Sequence, residues 1–421
     1  MTEPALPPMP ALPLKPVLPS KPVLPGSTLG VLGGGQLGRM FVHEAQRMGY
    51  NTAVLDPDAH SPAGWVSHHH IQTDYSDASG LQQLANVCQA VTTEFENVPA
   101  DALAQLALSL PVSPAASAVA VAQDRAREKA HFVSCGVPVA PHAVIETPAQ
   151  LAAVSDALLP GILKTSRMGY DGKGQQRVRT RDALNQAWDA LQRVPCVLEK
   201  MLPLVNECSV IVARGQDGAM VHLPIQRNLH RDGILAVTEV WPGNVPDALA
   251  QQAIAAAKAV AQGLNYVGVL CVEFFVVQED GALSLVVNEI APRPHNSGHY
   301  SQDACDVSQF ELQVRCMTGL PLTQPRLHSP SIMLNLLGDL WFKKPPVKEL
   351  GSDPNLDNVE PTTEPSWAAV LALPGTHLHL YGKTQARVGR KMGHLNITGA
   401  SPDAVRATAL RAADLLGIAP F

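Results

Sequence analysis

The chain has 421 residues, of which 46% are hydrophobic and 16% charged, and this balance predicts about two to three globular domains. Its net charge of −6 and the lack of any Lys/Arg block argue against a nucleic-acid partner. The seven cysteines are scattered without a Cys-x-x-Cys pair, and no apolar run reaches the roughly 18 residues of a membrane span. We therefore expect a cytoplasmic protein with reduced thiols and no membrane partner.

Residues 1–26 form a Pro-rich stretch with the near-repeat Lys-Pro-Val-Leu-Pro at 15–19 and 21–25. Proline at this density prevents helix and sheet formation and favours an extended polyproline II conformation. The prolines also interrupt the apolar run that a signal peptide needs. We predict a disordered tail here, with a ligand for a proline-binding partner as the alternative.

Alternating strands and helices begin at Thr28 and predict an open, mostly parallel sheet over residues 27–114. The predicted elements are a strand at Leu29–Leu32, a helix at Gln36–Met48, and strands at Thr52–Leu55 and Ala90–Thr93. This order is typical of a Rossmann-like domain.

The rest of the chain is predicted to be richer in strands. We expect a lid region over 115–203, a larger region over 204–325 and a C-terminal domain over 326–421, within which 339–366 is an insertion. A long helix is predicted at Pro246–Gln262, with Gly263 as its stop. The other predicted elements are helices at Asp124–Ser134 and Pro402–Leu416 and strands at Ile162–Thr165, Val197–Lys200, Ser209–Ala213, Met220–Gln226, Leu235–Val240, Gly268–Val277, Leu283–Ala291 and Ala369–Leu373.

The segment Gly33–Gly38 matches the pattern G-x-G-x-x-G between a strand and a helix, and Asp56 falls near the end of the next strand. This pattern is typical of dinucleotide-binding loops. The pattern does not by itself specify a dinucleotide, because glycines allow any ligand to approach the backbone closely and a helix N-terminus favours any anion. Nothing downstream indicates hydride transfer, so the phosphate of another ligand is favoured over NAD(P), and a merely tight turn stays open.

A second glycine-rich loop, Met168–Gly174, follows a strand that ends near Lys164. Its glycines predict a mobile lid with Lys173 at the tip, and such loops commonly close over nucleotide phosphates. The loop lacks the G-x-x-x-x-G-K-[ST] pattern of a Walker motif. Downstream, Leu198–Met201 is a strand edge suited to adenine, and Glu207 is placed to bond ribose hydroxyls. Together these residues predict an ATP site.

Glu273 and Glu289 lie 16 residues apart on two long predicted strands. If the strands pair as a hairpin, both carboxylates reach one site and can bind Mg²⁺, which prefers oxygen ligands. The second strand leads into residues 288–299, Asn-Glu-Ile-Ala-Pro-Arg-Pro-His-Asn-Ser-Gly-His, where prolines end any ladder. This mixture of polar groups favours a metal-bound phosphate beside a small anionic substrate, with a plain exit turn as the alternative.

Seven motifs follow one another along the chain: GGGQLGRM (33–40), TEFENVP (93–99), GYDGKGQ (169–175), NLHRDGI (228–234), NEIAPRPHNSGH (288–299), SQFELQ (308–313) and GRKMGHLN (389–396). They occur in the order found in ATP-grasp enzymes and, within them, in the N5-carboxyaminoimidazole ribonucleotide synthetases of purine biosynthesis, which the chain resembles from about 28 to 415. The Pro-rich tail and much of 339–366 lie outside the family pattern, and Met168 replaces a glycine that some members carry, which stiffens the lid.

The resemblance implies a mixed α/β and α+β fold: an N-terminal Rossmann-like (pre-ATP-grasp) domain, central ATP-grasp domains and a small C-terminal domain. It implies a carbon–nitrogen ligase that joins bicarbonate to the amine of 5-aminoimidazole ribonucleotide through carboxyphosphate while ATP is consumed. The implied cofactors are ATP and Mg²⁺, the partners are these small-molecule substrates, and the expected assembly is a homodimer.

The resemblance also assigns roles to matching positions. It implies that Glu273 and Glu289 bind the metal and that Arg293, His295 and Asp171 take part in catalysis, with Asp171 accepting the amine proton. The implied substrate contacts are Gly35, Gln36, Glu94, Tyr170, Asp171, Asn296, Ser297, Lys383 and Arg390. The implied ATP contacts are Arg125, Lys164, Met168, Gly169, Tyr170, Asp171, Gly172, Lys173, Gly174, Glu199, Lys200, Met201, Leu202, Glu207, His230, Asn288 and Glu289.

Three other functions stay open at this point. A related ATP-grasp ligase, such as the formate-using glycinamide ribonucleotide transformylase or a biotin carboxylase, shares the ATP half but lacks the combination of GGGQLG, HNSGH and GRKMGHLN. An NAD(P)-binding oxidoreductase predicts nicotinamide binding without ATP turnover. A catalytically inactive nucleotide sensor is disfavoured by the intact Glu273 and Glu289.

Overall fold

The computed structural model describes residues 21–169, 174–342 and 363–421, which form three sheets with helices packed on them. The mixed α/β order confirms the predicted fold class. The predictions for residues 1–20, for Tyr170, Asp171, Gly172 and Lys173 of the lid, and for 343–362 lie outside the described residues.

The first sheet consists of β1 (Thr28–Leu32), β2 (Asn51–Leu55), β3 (His69–Ile71) and β4 (Ala90–Thr93), with helices α1 (Gln36–Arg47), α2 (Ala78–Val87) and α3 (Ala100–Leu106). Its order is β3-β2-β1-β4 and every pair is parallel, as the alternating pattern predicted. Leu29, Val31 and Leu32 are fully buried, because helices cover both faces of a parallel sheet. The carboxyl ends of β1 and β4 lie at one edge, where Gly33 and Glu94 follow.

A smaller antiparallel sheet follows helices α4 (Ala116–Ala122) and α5 (Arg125–Ser134). Asp124 caps α5, because its carboxylate accepts the N–H groups of Ala126 and Arg127. The elements of this sheet are β5 (His142–Ile145), α6 (Pro148–Ala153), β6 (Gly161–Thr165), β7 (Gln175–Val178), α7 (Arg181–Ala190) and β8 (Cys196–Lys200). The strand order is β5-β8-β6-β7, so the glycine-rich lid connects two neighbouring strands, β6 and β7.

Nine strands make up the largest sheet: β9 (Leu204–Arg214), β10 (Met220–His222), β11 (Gln226–Arg231), β12 (Ile234–Val240), β13 (Gly268–Glu279), β14 (Ala282–Ala291), β15 (Ser331–Leu337), β16 (Thr376–Leu380) and β17 (Lys391–Thr398). Their order is β14-β13-β9-β11-β12-β15-β17-β16, with β10 beside β9. The helices of this region are α8 (Asp247–Gly263), α9 (Ser301–Ala304), α10 (Gln309–Thr318), α11 (Trp367–Leu371) and α12 (Pro402–Leu416). Within the described ranges, every helix is too short or too polar to cross a bilayer.

The C-terminal region shares the largest sheet. β15 pairs with β12 and β17 pairs with β15, so backbone hydrogen bonds join the two sides of the boundary predicted at residue 326. On these strands α12 packs with Val405, Ala409 and Ala412 buried. The predicted strand at Ala369–Leu373 is wrong, because most of it belongs to α11, where alanines favour a helix.

Two predicted boundaries shift for local reasons. The segment predicted as one strand at Met220–Gln226 forms parts of two, because Pro224 lacks the N–H that a continuous ladder needs. Gly263 is the last residue of α8 rather than its stop. A Cβ at this position would lie 2.7 Å from Cys135 Sγ, so the glycine serves close packing.

The N-terminus of α12 gives a stability prediction. Ser401 caps the helix, and its hydroxyl accepts the Ala404 N–H at 3.3 Å. Replacing Ser401 with alanine should lower the free energy of unfolding by about 1 kcal/mol, because this N–H loses its acceptor. Chemical denaturation measures the change, and Ser401→Asp, which keeps an acceptor, should stay close to the wild type. Equal losses in the two variants would contradict the capping role.

Candidate active site

A cavity of ≈570 Å³ opens between the β5–β8 sheet and the largest sheet. Its walls come from α5, β6, β7 and the strands that surround β13. The predicted site residues that line it are Arg125, Lys164, Met168, Gly169, Glu207, His230, Glu273, Asn288, Glu289, Arg293, His295 and Asn296. The fold therefore brings most of the predicted ATP residues and the loop after β14 to one place.

Glu273 and Glu289 face each other across a strand pair. β13 and β14 are antiparallel with Glu273 directly opposite Glu289, and a bulge follows Glu273. The predicted hairpin is confirmed. Like charges directly opposite each other destabilise a sheet, so the pair is suited to a cation held between two carboxylates.

Helix α5 is tied to the strand that carries Glu289. Arg125 Nη1 lies 3.0 Å from Glu289 Oε2. Glu128 accepts the Ile290 N–H at 2.7 Å, and Lys129 Nζ donates to the Asn288 carbonyl at 3.0 Å. Burial raises the pKa of Glu128 to about 8. These contacts fix a guanidinium beside the paired carboxylates.

Three buried charged side chains contact one another beside the cavity. Lys164 Nζ donates to Glu199 Oε2 at 3.0 Å, and Lys129 Nζ lies 3.3 Å from Oε1 without hydrogen-bond geometry. Burial favours the neutral carboxyl, but the two lysines outweigh it and lower the Glu199 pKa to about 2. Of these three residues, only Lys164 lines the cavity, so the Glu199 side chain positions the lysine.

Two histidines flank Glu273. His295 Nε2 lies 3.1 Å from Glu273 Oε1, and His230 Nε2 lies 3.9 Å from Oε2. His230 also contacts Glu207 through Nδ1. Burial disfavours charge on these groups, but the opposite charges around them hold the Glu273 pKa below its ordinary value and the His230 pKa above it. The carboxylates of Glu207 and Glu273 and the two imidazole rings therefore contact one another along one wall of the cavity.

Residues far away in sequence hold Arg293 and His295. Arg293 Nε donates to the Glu96 carboxylate, and this pairing outweighs burial and raises the Arg293 pKa. The Gln309 side chain accepts the His295 N–H and donates to the His295 carbonyl, both at 2.9 Å. Partners outside the loop therefore fix the side chain of Arg293 and the backbone of His295.

Ser297 does not face the cavity. Its side chain is 0% exposed, and its hydroxyl lies 2.9 Å from both His295 Nδ1 and Ser209 Oγ. This hydroxyl is used inside the protein, and the contact between Ser297 and the nucleotide substrate stays a prediction. Asn296, the preceding residue, does line the cavity.

The first glycine loop has internal acceptors for its N–H groups. Glu94 accepts the N–H of Gly35 at 2.7 Å and that of Gly38 at 3.0 Å, and Asp56 accepts that of Gly34 at 2.6 Å. A carboxylate of the protein thus occupies the helix N-terminus that favours an anion. The N–H groups of Gly34, Gly35 and Gly38 are used within the protein, which favours the interpretation as a tight turn, and binding of a phosphate by this loop stays a prediction.

Lys383 and Arg390 lie beside the first domain. A Cβ at Gly382 would be 3.1 Å from Arg39, so the loop that carries Lys383 touches α1. Burial and the charge of Arg390 lower the Lys383 pKa to about 8, while Glu94 acts in the opposite direction. Cationic groups from the C-terminal region thus meet the edge where β1 and β4 end.

The remaining described residues of the prediction lie elsewhere. Lys200 is exposed at the end of β8, and Met201 and Leu202 follow it toward β9. Gln36 is the first residue of α1.

Met168 lines the cavity with φ +60°, a left-handed conformation that costs a non-glycine residue about 1–2 kcal/mol. Some members of the family carry a glycine at this position. Gly174, at the other end of the lid, also has a positive φ, +70°.

Sequence reasoning missed four residues that hold the site: Glu96, Glu128, Lys129 and Gln309. Glu96 and Gln309 lie inside the quoted motifs TEFENVP and SQFELQ, so motif membership was a usable signal. Glu128 and Lys129 are adjacent charges on a predicted helix, and such pairs usually face solvent. Only tertiary packing shows that both are buried.

Three family models match consecutive parts of the chain. Residues 27–123 match the ribonucleotide synthetase preATP-grasp domain, and residues 130–310 match the ATP-grasp domain. Residues 331–408 match the phosphoribosylaminoimidazole carboxylase C-terminal domain.

Curated relatives and solved structures agree with these matches. The N5-carboxyaminoimidazole ribonucleotide synthase of Brucella melitensis is 41% identical over 88% of this chain and 96% of that protein, and that of Bacillus subtilis is 39% identical over 88% and 91%. A crystal structure of an N5-carboxyaminoimidazole ribonucleotide synthetase with ADP has a TM-score of 0.83 at 37% identity, covering 93% of this chain and 98% of that one. The Aspergillus clavatus enzyme with ADP and 5-aminoimidazole ribonucleotide has a TM-score of 0.80 at 32% identity over 93% and 98%. The chain belongs to the N5-carboxyaminoimidazole ribonucleotide synthase family of ATP-grasp enzymes.

Proposed function

We propose that this protein carboxylates 5-aminoimidazole ribonucleotide with bicarbonate and ATP, giving N5-carboxyaminoimidazole ribonucleotide, ADP and phosphate in purine biosynthesis. The observation that carries the proposal is the Glu273–Glu289 pair, which shares one cavity with Arg293 and His295 in a chain of this family.

The chemistry requires bicarbonate to be activated. Bicarbonate is a poor electrophile, because its leaving group would be hydroxide. A bicarbonate oxygen attacks the γ-phosphorus of ATP, ADP leaves, and carboxyphosphate forms with phosphate as a good leaving group. The substrate amine then attacks the carboxyl carbon, or CO₂ released from it, and loses a proton. Water destroys these intermediates, which gives a closing lid a chemical purpose.

The paired carboxylates fit Mg²⁺. Glu273 and Glu289 offer oxygens from opposite strands, and Asn288 Oδ1 is buried without a hydrogen-bond partner in the described part of the chain. Glu273 and Glu289 would hold the cation, with Asn288 beside the phosphates. Mg²⁺ bound there neutralises phosphate charge and orients the transferred group.

The other cavity residues divide between ATP and bicarbonate. Arg125 and Lys164 present cations to the phosphates, and Glu207 with His230 binds the ribose end. Arg293 and His295 bind bicarbonate and stabilise the charge that develops on carboxyphosphate. The Ser297 N–H donates to His295 Nδ1 at 3.3 Å, which leaves the proton of the neutral ring on Nε2, toward Glu273.

The nucleotide substrate spans from this cavity to the first domain. Lys383 and Arg390 bind its phosphate, since a guanidinium offers a planar fork to phosphate oxygens. Gln36, Glu94 and Asn296 are the further contacts proposed for this substrate. Asp171 as acceptor of the amine proton, Tyr170 as a substrate contact, a homodimeric assembly and a cytoplasmic location are further expectations.

The pH dependence of substrate capture tests the role of Lys383. Its pKa lies at about 8, so the cation that binds phosphate is present below this pH and is lost above it. The value of kcat/KM for the nucleotide should therefore fall as the pH rises through about 8, since this parameter reports the free enzyme. Lys383→Arg, which stays charged, should remove the decline. An unchanged decline in the variant would show that another group titrates.

ADP release tests the proposed function. We expect bicarbonate and 5-aminoimidazole ribonucleotide together to stimulate ADP release, and omission of either to lower it. Formate with glycinamide ribonucleotide should give no stimulation, and biotinyl protein should add none to that of bicarbonate alone. If neither proposed substrate increases ATP hydrolysis, the synthase assignment is wrong.

A further inference from the structure

Cys271, Glu273 and His295 form a cluster of potential metal ligands behind the cavity wall. One ligand atom from each side chain lies within 4.8 Å of the other two. In residues 21–169, 174–342 and 363–421, no other histidine, cysteine and acidic side chains meet this condition in groups of three. The proposed reaction does not use the Cys271 thiol.

The strand geometry explains why these three side chains meet. Cys271 and Glu273 are two residues apart on β13 and therefore point to the same face. His295 reaches this face from the loop after β14, and its Nε2 lies 3.1 Å from Glu273 Oε1. Cys271 is fully buried, 4.0 Å from Ser297 Oγ, while Glu273 and His295 line the cavity. A cation that enters the cavity meets these two residues first and the thiol behind them.

The donor set selects a different cation from Mg²⁺. Thiolate, imidazole and carboxylate are ligands of Zn²⁺ and of softer divalent ions, whereas Mg²⁺ prefers oxygen alone. Tetrahedral Zn²⁺ has bonds of about 2.0–2.3 Å, so its donor atoms lie roughly 3.3–3.8 Å apart. The limit of 4.8 Å on the donor separations exceeds this range by about 1 Å, so binding draws the three side chains closer together.

We propose that Cys271, Glu273 and His295 bind a thiophilic divalent cation such as Zn²⁺ or Cd²⁺, which inhibits the enzyme. On binding, the Cys271 thiol loses its proton to solvent, and the proton of the neutral His295 ring moves from Nε2 to Nδ1, which lies 2.9 Å from Ser297 Oγ. The sulfur and Nε2 then bind the metal, and no redox change occurs. The bound ion removes Glu273 from Mg²⁺ and His295 from bicarbonate. Its inhibitory effect rests on the proposed function, whereas binding itself rests on the donor geometry alone.

Cadmium titration tests the binding directly. The nucleotide-free protein, with reduced thiols, should gain an ultraviolet thiolate-to-cadmium band that saturates at one equivalent. Cys271→Ala should lose this band, whereas Cys208→Ala, which removes a buried thiol from the neighbouring strand β9, should keep it. Cys271→Ser serves as a second variant if the alanine protein fails to fold. A band of undiminished amplitude without Cys271 would overturn the proposal.

Turnover with excess Mg²⁺ tests the consequence. Zn²⁺ or Cd²⁺ should inhibit the wild type, and Cys271→Ala should retain its basal rate while needing at least about tenfold more metal for half-inhibition, on the scale of ligand-environment effects on metal affinity. Equal sensitivity of the two proteins would contradict the inhibitory site. A cadmium band in a protein whose ATP hydrolysis ignores both substrates would instead refute the proposed function and leave the metal site standing.

Discussion

Replacement of Glu289 with glutamine should lower kcat on the order of 100-fold, the scale of losing one electrostatic contact to a transition state. The glutamine keeps the size and one oxygen of the side chain but removes a negative charge opposite Glu273. The site then holds Mg²⁺ with one carboxylate, so the cation stabilises the transferred phosphoryl group less well. Steady-state ADP release at saturating substrates, followed over a range of Mg²⁺ concentrations, measures the loss.

The matched control lies on the same hairpin. Glu279 ends β13 and is exposed, so Glu279→Gln removes the same charge away from the cavity and should leave kcat unchanged. A thermal melt of Glu289→Gln checks that the lost ion pair with Arg125 has not unfolded the protein. A folded Glu289→Gln protein with wild-type kcat would remove Glu289 from the metal site.

Replacement of Glu199 with glutamine should lower the free energy of unfolding by about 3–5 kcal/mol, because two lysines then share a buried site without an acid. Both Lys129 and Lys164 contact this carboxylate and are themselves buried. Burial lowers the pKa of Lys164, so this lysine can relieve the cost by losing its proton, which is easier at higher pH. The loss should therefore be smaller at alkaline pH than at neutral pH, and urea denaturation at both values measures it.

An exposed ion pair provides the control for Glu199. Asp189 and Arg193 lie 2.6 Å apart on the surface of the same sheet region, with side chains that are 55% and 62% exposed. Solvent screens such a pair, so Asp189→Asn should change stability by less than about 1 kcal/mol. If Glu199→Gln lowers the free energy of unfolding no more than Asp189→Asn does, Glu199 does not stabilise the two buried lysines as proposed.

Local patterns in the sequence were sufficient to predict the helices and strands of the first sheet and the carboxylates that face each other on the hairpin. The alternation of strands and helices predicted the parallel sheet of β1–β4, and the two long apolar strands predicted the hairpin that sets Glu273 against Glu289. Backbone conformation and strand pairing follow short-range rules, which a single sequence displays. The glycine loop at 33–38 shows the limit of these rules, because its pattern fits both a phosphate site and a tight turn.

Side-chain partners that are distant in sequence decided what the patterns could not. At the N-terminus of α1, Glu94 accepts the N–H of Gly35, which lies 59 residues earlier in the chain. Glu96 accepts a hydrogen bond from Arg293, which lies 197 residues later. The hydroxyl of Ser297 turned inward to His295 and Ser209, although its motif placed it beside substrate residues. Such contacts depend on how three sheets pack, which is not visible in any short window of sequence.

Oxygen-18 transfer from bicarbonate tests the central claim most directly. In the proposed reaction a bicarbonate oxygen attacks the γ-phosphorus, and the carbon–oxygen bond of carboxyphosphate breaks later, so that oxygen stays with phosphate. With ¹⁸O-labelled bicarbonate, ATP and 5-aminoimidazole ribonucleotide, and no carbonic anhydrase, the phosphate released with each ADP should carry one labelled oxygen. Unlabelled phosphate formed during productive turnover would contradict activation of bicarbonate by ATP at this site.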